Sequence, residues 1–375
     1  MDNVHTSAAQ AVLSNLLASA DIQVGGGRPW DLRVNDPRFF RRALTGGTLG
    51  FGEAYMEGWW DCDAIDELSE RAVRAGLDVR RLLNLQTLIA LISSWAFNLQ
   101  NRSGARIVGR RHYDLGNDFF ESMLDPAMQY SCARFEGTDD LAAAQHRKLD
   151  LICRKLGLRE GMSLLDIGCG WGGLARHAAR NYGCRVVGIT ISEEQQLYAR
   201  KFCHDLPVEI RLQDYRDITE TFDRIVSIGM LEHVGEKNYR CYMETVCRAL
   251  ASGGLFLCQS IAYNYSGTPI DPWMSRYIFP HSMLPTASQA TEAAERLFVL
   301  EDVHNFGADY DRTLMAWERN FTAEWHRFSD RYGERFGRMW RYYLLGCAGA
   351  FRARSLQLFQ FVFSKDGVPG GYERL

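Results

Sequence analysis

The chain has 375 residues, 46% of them hydrophobic, enough for a substantial core and far from the composition of a disordered chain. A formal net charge of −3 excludes general basicity as the means of holding a nucleic acid. The ten cysteines form no C-x-x-C and no zinc spacing, so no metal is expected, and they read as packed thiols of a reducing cytosol.

No signal peptide is evident: the first basic residue is Arg28, and the apolar stretch from Ala11 to Ala20 is broken by Ser14 and Asn15. Residues 1–100 show no βα alternation and are expected to form a mainly helical domain, with 101–375 as a second domain. The run Gly46-Gly47-Thr48-Leu49-Gly50-Phe51-Gly52 reads as a turn-rich connector, and Trp59-Trp60 as core or interface anchors. Leu82–Phe97 predicts an apolar helix whose polar interruptions leave it short of the roughly 18 apolar residues that span a bilayer. Core burial, a dimer or interdomain contact, and a membrane surface all accommodate it. Arg71, Arg74, Arg80, Arg81, Arg102, Arg106, Arg110 and Arg111 flank it and suit anionic headgroups, or an ordinary solvated face.

From about residue 155 the pattern alternates. Strands are predicted at Ser163–Ile167, Arg185–Ile191, Val208–Gln213, Arg224–Ile228 and Leu255–Ile261, with helices at Leu174–Tyr182, Glu193–Cys203 and about Asn238–Leu250. Two later strands fall near Phe298–Val303 and Leu356–Phe363, with long helices from Asp309 to about Arg327 and from Glu334 to about Arg352. This is the pattern of an α/β doubly wound, mostly parallel sheet.

Between the first strand and its helix, Leu164-Leu165-Asp166-Ile167-Gly168-Cys169-Gly170-Trp171-Gly172-Gly173 places four glycines within six positions. Strand, glycine turn and helix build an adenosine-cofactor site at a strand's carboxyl end. Gly168, Gly170 and Gly173 satisfy the dinucleotide fingerprint, whereas Asp166, Gly168, Gly170 and Gly172 satisfy the acid-x-G-x-G-x-G form of S-adenosylmethionine methyltransferases. Later strand ends favour the second. No acid stands at the tip of Arg185–Ile191, where a nicotinamide enzyme holds its ribose, although Glu193 is close. Gln213-Asp214-Tyr215 offers an acid and an aromatic to an adenine, and Glu232 follows the fourth strand toward the cofactor crevice.

The chain resembles the bacterial cyclopropane-fatty-acyl-phospholipid synthases. The resemblance rests on His112-Tyr113-Asp114-Leu115-Gly116-Asn117-Asp118, Met128-Gln129-Tyr130-Ser131-Cys132, the glycine run, Leu212–Asp217, Glu232-His233-Val234-Gly235, Asp271-Pro272-Trp273, Ile278-Phe279-Pro280, His304–Asp311 and Ala348–Arg354. It implies a class I S-adenosylmethionine-dependent methyltransferase, Rossmann-like, with a small helical N-terminal domain. The implied reaction adds a methyl group to a cis double bond of a phospholipid acyl chain, then removes a proton to close a cyclopropane ring. It further implies a bound bicarbonate ion as base, with a pocket at Cys132, Glu232, Gln259, the Ile261 backbone and Tyr310. The family usually has His where this chain has Gln259, which cannot carry a proton charge.

For the cofactor, the resemblance implies Tyr130 and Ser131 at the methionine end, with Gly168 and Gly170 against the methionyl backbone. Thr190 and Gln195 would meet the ribose, and Asp214 and Tyr215 the adenine; Asp166 would orient the turn. Trp273, Tyr277 and Phe279 suit an acyl tunnel or an aromatic core alike. The expected setting is the cytoplasm, peripheral to the inner face of the membrane, as a homodimer. Three other readings stay open: a C-methyltransferase giving a methyl- or methylene-branched chain without a ring, a lipid-binding or scaffold protein that has lost catalysis, and a nicotinamide oxidoreductase.

Overall fold

A computed structural model describes residues 2–77, 115–280 and 282–375. The predicted Leu82–Phe97 helix, six of the eight flanking arginines and His112-Tyr113-Asp114 lie outside the described residues. The chain folds into two compact units, one of Met1–Asn98, Gly267–Pro280 and Tyr310–Leu356, the other of Leu99–Ser266, His281–Asp309 and Gln357–Leu375.

The first unit is helical and reaches beyond the first 100 residues. Its helices include Arg38–Met56, Ile65–Arg74, Pro272–Tyr277 and Glu334–Arg352, beside a two-residue antiparallel pairing of β1 (Arg33–Val34) with β2 (Trp60–Asp61). The glycine run at 46–52 is not a connector. It lies inside the helical stretch Arg38–Met56, where Gly47 takes φ 56° and ψ −142° and kinks it. The later glycines admit neighbours: a Cβ on Gly52 would sit 2.5 Å from the Trp273 ring. Trp60 is fully buried among Phe39, Phe51 and Tyr55, whereas Trp59 is covered by the guanidiniums of Arg38 and Arg42. Trp273 is core: its Nε1 donates to Met56 Sδ at 3.3 Å. Arg71 pairs with Asp21 and Arg74 with Glu70, so both cations are already matched by carboxylates.

The second unit holds a seven-stranded sheet in the order β5 (Val208–Leu212), β4 (Arg185–Thr190), β3 (Ser163–Ile167), β6 (Phe222–Ile228), β7 (Leu250–Tyr263), β9 (Leu356–Ser364), β8 (Val299–Asn305). β5, β4, β3, β6 and β7 pair in parallel, and β8 pairs antiparallel to β9. Adjacent residues serve opposite faces, as the period of two requires. Leu164, Val226 and Leu257 join one buried cluster with Leu149, Ile152 and Leu174. Leu165, Ile225 and Phe256 join another with Tyr242 and Met243. β3 has β4 on one side and β6 on the other, so the turn after β3 lies where the strand order reverses and a crevice opens.

In the first unit, helices Ile65–Arg74 and Glu334–Arg352 meet at Gly349, where a Cβ would stand 2.2 Å from the Asp66 carbonyl oxygen. Gly349→Ala is expected to cost about 1–3 kcal/mol by overpacking. Gly346→Ala, which meets nothing within 4 Å, is expected to stabilise the same helix by up to about 1 kcal/mol. Denaturant unfolding of the two variants checks the pair.

Candidate active site

The glycine turn is built by backbone conformations that side chains resist. Gly168, Gly170 and Gly172 take φ of 82°, 54° and 85°. The Gly168 and Cys169 N–H groups donate to the Ile189 carbonyl at 2.9 and 3.0 Å, which pins the turn to the end of β4. Open space lies where a Cβ of Gly170 would be. The residues from Ala127 to Ser131 come close to the far end of the turn, since a Cβ on Gly173 would lie 2.0 Å from the Ala127 carbonyl oxygen.

These segments enclose one cavity. Tyr130, Ser131, Asp166, Gly168, Gly170, Thr190, Gln195, Asp214 and Tyr215 all line it, so every predicted cofactor residue borders the same space. Thr190 Oγ1 donates to Gln195 Oε1 at 2.9 Å, holding both at the tip of β4. Asp214 accepts from the Arg216 guanidinium at 2.9 and 3.2 Å, and that guanidinium lies 4.7 Å from the Tyr215 ring centre. A glycine floor, a hydroxyl–amide pair and an acid beside an aromatic fit the methionyl, ribose and adenine parts of S-adenosylmethionine. Asp166 is buried at 2% exposure, its Oδ2 lacks a hydrogen-bond partner among the described residues, and burial pushes its pKa up to about 7.

Beside this cavity stand Glu232, Gln259 and Ile261. Gln259 on β7 pairs in register with Ile228, a wall residue, and its carbonyl accepts from the Gly229 N–H at 2.9 Å. The Ile261 N–H donates to Glu232 Oε1 at 2.7 Å. Glu232 Oε2 is buried and lacks a partner among the described residues, and burial pushes the pKa of this carboxyl up to about 7. Gln259 is buried, and its Oε1 accepts from Gln360 Nε2 at 2.9 Å. Cys132 is fully buried, with its Sγ 3.3 Å from the Ala133 carbonyl oxygen. Tyr310 belongs to the first unit, in the helix Ala308–Glu324, with its ring stacked on Phe351 at 4.4 Å. His233 lines the cavity, and burial pushes its pKa down to about 4, so it is a neutral imidazole at physiological pH.

Several residues of the site escape sequence reasoning. Trp171 walls the cavity and donates from Nε1 to Asn117 Oδ1 at 2.8 Å. Lys148, with no exposure, donates to Ser131 Oγ at 3.0 Å. A lysine inside the helix Leu141–Lys155 carries no local signal of burial; only the amphipathic phase of that helix puts it on the inner face.

Comparison with known proteins agrees with this geometry. Residues 67–361 match the family described as mycolic acid cyclopropane synthetase. The chain is 51% identical over 360 residues to the cyclopropane-fatty-acyl-phospholipid synthase of Escherichia coli (strain K12), covering 96% of this chain and 94% of that protein. Among solved structures, the cyclopropane synthase MmaA2 from Mycobacterium tuberculosis superposes with a TM-score of 0.66 at 32% identity, over 69% of this chain and 98% of that one. The mycolic acid cyclopropane synthase CmaA1 complexed with SAH and CTAB gives the same TM-score, identity and coverage. The sheet, the turn after β3 and these likenesses make the second unit a class I methyltransferase fold, and the chain belongs to the mycolic acid cyclopropane synthetase family.

Proposed function

We propose that this chain transfers a one-carbon unit from S-adenosylmethionine to the cis double bond of an unsaturated phospholipid acyl chain and closes it into a cyclopropane ring. The observation that carries this reading is the Glu232 carboxyl. It is held dry by the Ile261 N–H, with one oxygen unmatched among the described residues, beside the wall of the cofactor cavity. An enzyme that alkylates oxygen or nitrogen needs a base at the acceptor; one that alkylates an alkene must keep water from a carbocation and remove a proton from the new methyl.

When bound, S-adenosylmethionine supplies an electron-poor methyl group on a positive sulfur. The chain's own residues orient it and exclude water. Gly168 and Gly170 give a floor without side chains, Thr190 and Gln195 meet the ribose, and Asp214 with Tyr215 meets the adenine. Bicarbonate is assigned to Cys132, Glu232, Gln259, the Ile261 backbone and Tyr310 on the strength of the resemblance, and the Ile261 N–H on Glu232 Oε1 supports the Glu232–Ile261 part of that assignment. Two anions side by side in a dry site repel, so Glu232 must hold its proton while bicarbonate is bound; a carboxyl poised near neutrality does so. Gln360 occupies the carbonyl end of the Gln259 amide, so Gln259 offers N–H groups to the anion, as a donor without charge. Action at the cytoplasmic face of a membrane, as a homodimer, belongs to the same reading. Among the described residues, no helix is long and apolar enough to cross a bilayer.

The test is incubation with vesicles of cis-unsaturated phospholipid and S-adenosylmethionine, with and without bicarbonate, followed by proton NMR of the product. Upfield ring protons that increase with bicarbonate are expected, and Gln259→His is expected to need less bicarbonate for half-maximal rate. Methylene signals without ring protons would favour the branched product.

Glu232 also makes a pH-dependent contribution to stability. Burial raises its folded pKa to about 7, above the unfolded value, so the contribution is present at low pH and is lost as pH rises through about 7. Glu232→Gln removes this dependence. Thermal unfolding is expected to show the native chain losing about 2–3 kcal/mol relative to the variant between pH 5 and 8, while the variant's ring formation is expected to need more bicarbonate for half-maximal rate.

A further inference from the structure

Lys148 lies on the helix Leu141–Lys155 with no solvent exposure. Lysine is almost never buried in this way unless paired. Here its Nζ donates to two neutral acceptors, Ser131 Oγ at 3.0 Å and Gln129 Oε1. Both of those residues line the cofactor cavity. The segment that carries them is rigid. Asp125 accepts from the N–H groups of Ala127 and Gln129, both at 2.9 Å, and Gln145 Nε2 donates to the carbonyls of Gln129 and Ser131.

The hydrogen bond to Ser131 has a chemical consequence. A hydroxyl has one proton and two lone pairs. With Lys148 donating to Oγ, the Ser131 proton must point away from the ammonium, and Ser131 borders the cavity. The adjoining charges bear on the sign of the site: Asp125, Cys132 and Asp166 act on Lys148, burial lowers the lysine to about 8 and raises Asp166 to about 7, so near neutrality the lysine keeps its charge while Asp166 is only partly ionised. Asp125 spends its oxygens on the Ala127 and Gln129 N–H groups, so among the described residues the ammonium hydrogen-bonds only neutral oxygens, a dry cation that favours an anion at this end of the cavity.

We infer that Lys148 is a positioning residue that fixes Ser131 as a hydrogen-bond donor and, with its buried charge, selects the amino-acid carboxylate of the cofactor at the Tyr130–Ser131 end of the cavity. This rests on the assignment of that end to the methionyl group.

Calorimetric titration tests it with two probes: S-adenosylhomocysteine, and its decarboxylated analogue, which keeps the amine. Lys148→Met is expected to weaken S-adenosylhomocysteine at least tenfold and the decarboxylated analogue less than twofold. Lys148→Arg is expected to restore most of the lost affinity, and Ser131→Ala is expected to add less than twofold in the Lys148→Met background. Should Lys148→Met fail to fold, Lys148→Gln carries the same comparison. Equal losses for both probes would reduce Lys148 to a packing role and overturn the inference. A loss with Ser131→Ala but none with Lys148→Met would overturn it and leave the cavity assignment standing. No selective loss with either substitution would overturn the assignment of this end of the cavity and the inference with it.

Discussion

The second unit depends on one close approach. The start of the helix Gly173–Tyr182 and the segment from Asp125 to Ser131 lie so near each other that no side chain fits at Gly173. That contact brings Tyr130 and Ser131 to the glycine turn after β3, and with them the polar groups that close one end of the cavity. It is held from the other side by Asp125, which accepts two backbone N–H groups, and by Gln145, which reaches two backbone carbonyls. Met128 sits within the segment at φ 53°, a conformation a non-glycine residue adopts only where its surroundings fix it. The turn and the segment define each other, and neither forms the site alone.

Around that contact the chain keeps ionisable groups away from water. Asp166, Lys148 and Glu232 are all buried, and burial moves each toward neutrality in the direction expected for its charge type. Such groups weaken a fold, and a protein that needed only stability would have replaced them with apolar residues. Their place at the cofactor cavity and beside it suits a reaction in which a cation forms on a hydrocarbon chain. Water would quench that cation, so charge control must come from fixed groups in a dry site.

Much of this architecture is legible in the sequence because it rests on local signals. The strands Ser163–Ile167 and the helix Glu334–Arg352 follow from periodicity alone, and the glycine turn announces itself by density. Asp214 and Tyr215 follow from a strand end and Gly168 and Gly170 from the turn, whereas Tyr130, Ser131, Thr190 and Gln195 come from the family resemblance. Other features depend on distant partners. The glycines at 46–52 read as a connector, but Trp273, more than 200 residues later, needs the absence of a side chain at Gly52 and is packed against a kinked helix. Arg71 reads as an unmatched cation, and its pairing with Asp21, 50 residues earlier, shows only in the fold. Lys148 and the Gln259–Gln360 amide pair give no local sign, because burial of one polar side chain by another is a tertiary event.

The central claim is that the methyl carbon ends as a ring methylene, having lost one hydrogen beside Glu232. S-Adenosylmethionine carrying a trideuterated methyl group measures this directly. Mass spectrometry of the product lipid is predicted to show two deuterium atoms retained and one released, with deuterium NMR placing both in the ring. Retention of all three deuterium atoms, or their appearance on an oxygen, nitrogen or sulfur acceptor while the double bond survives, would contradict it.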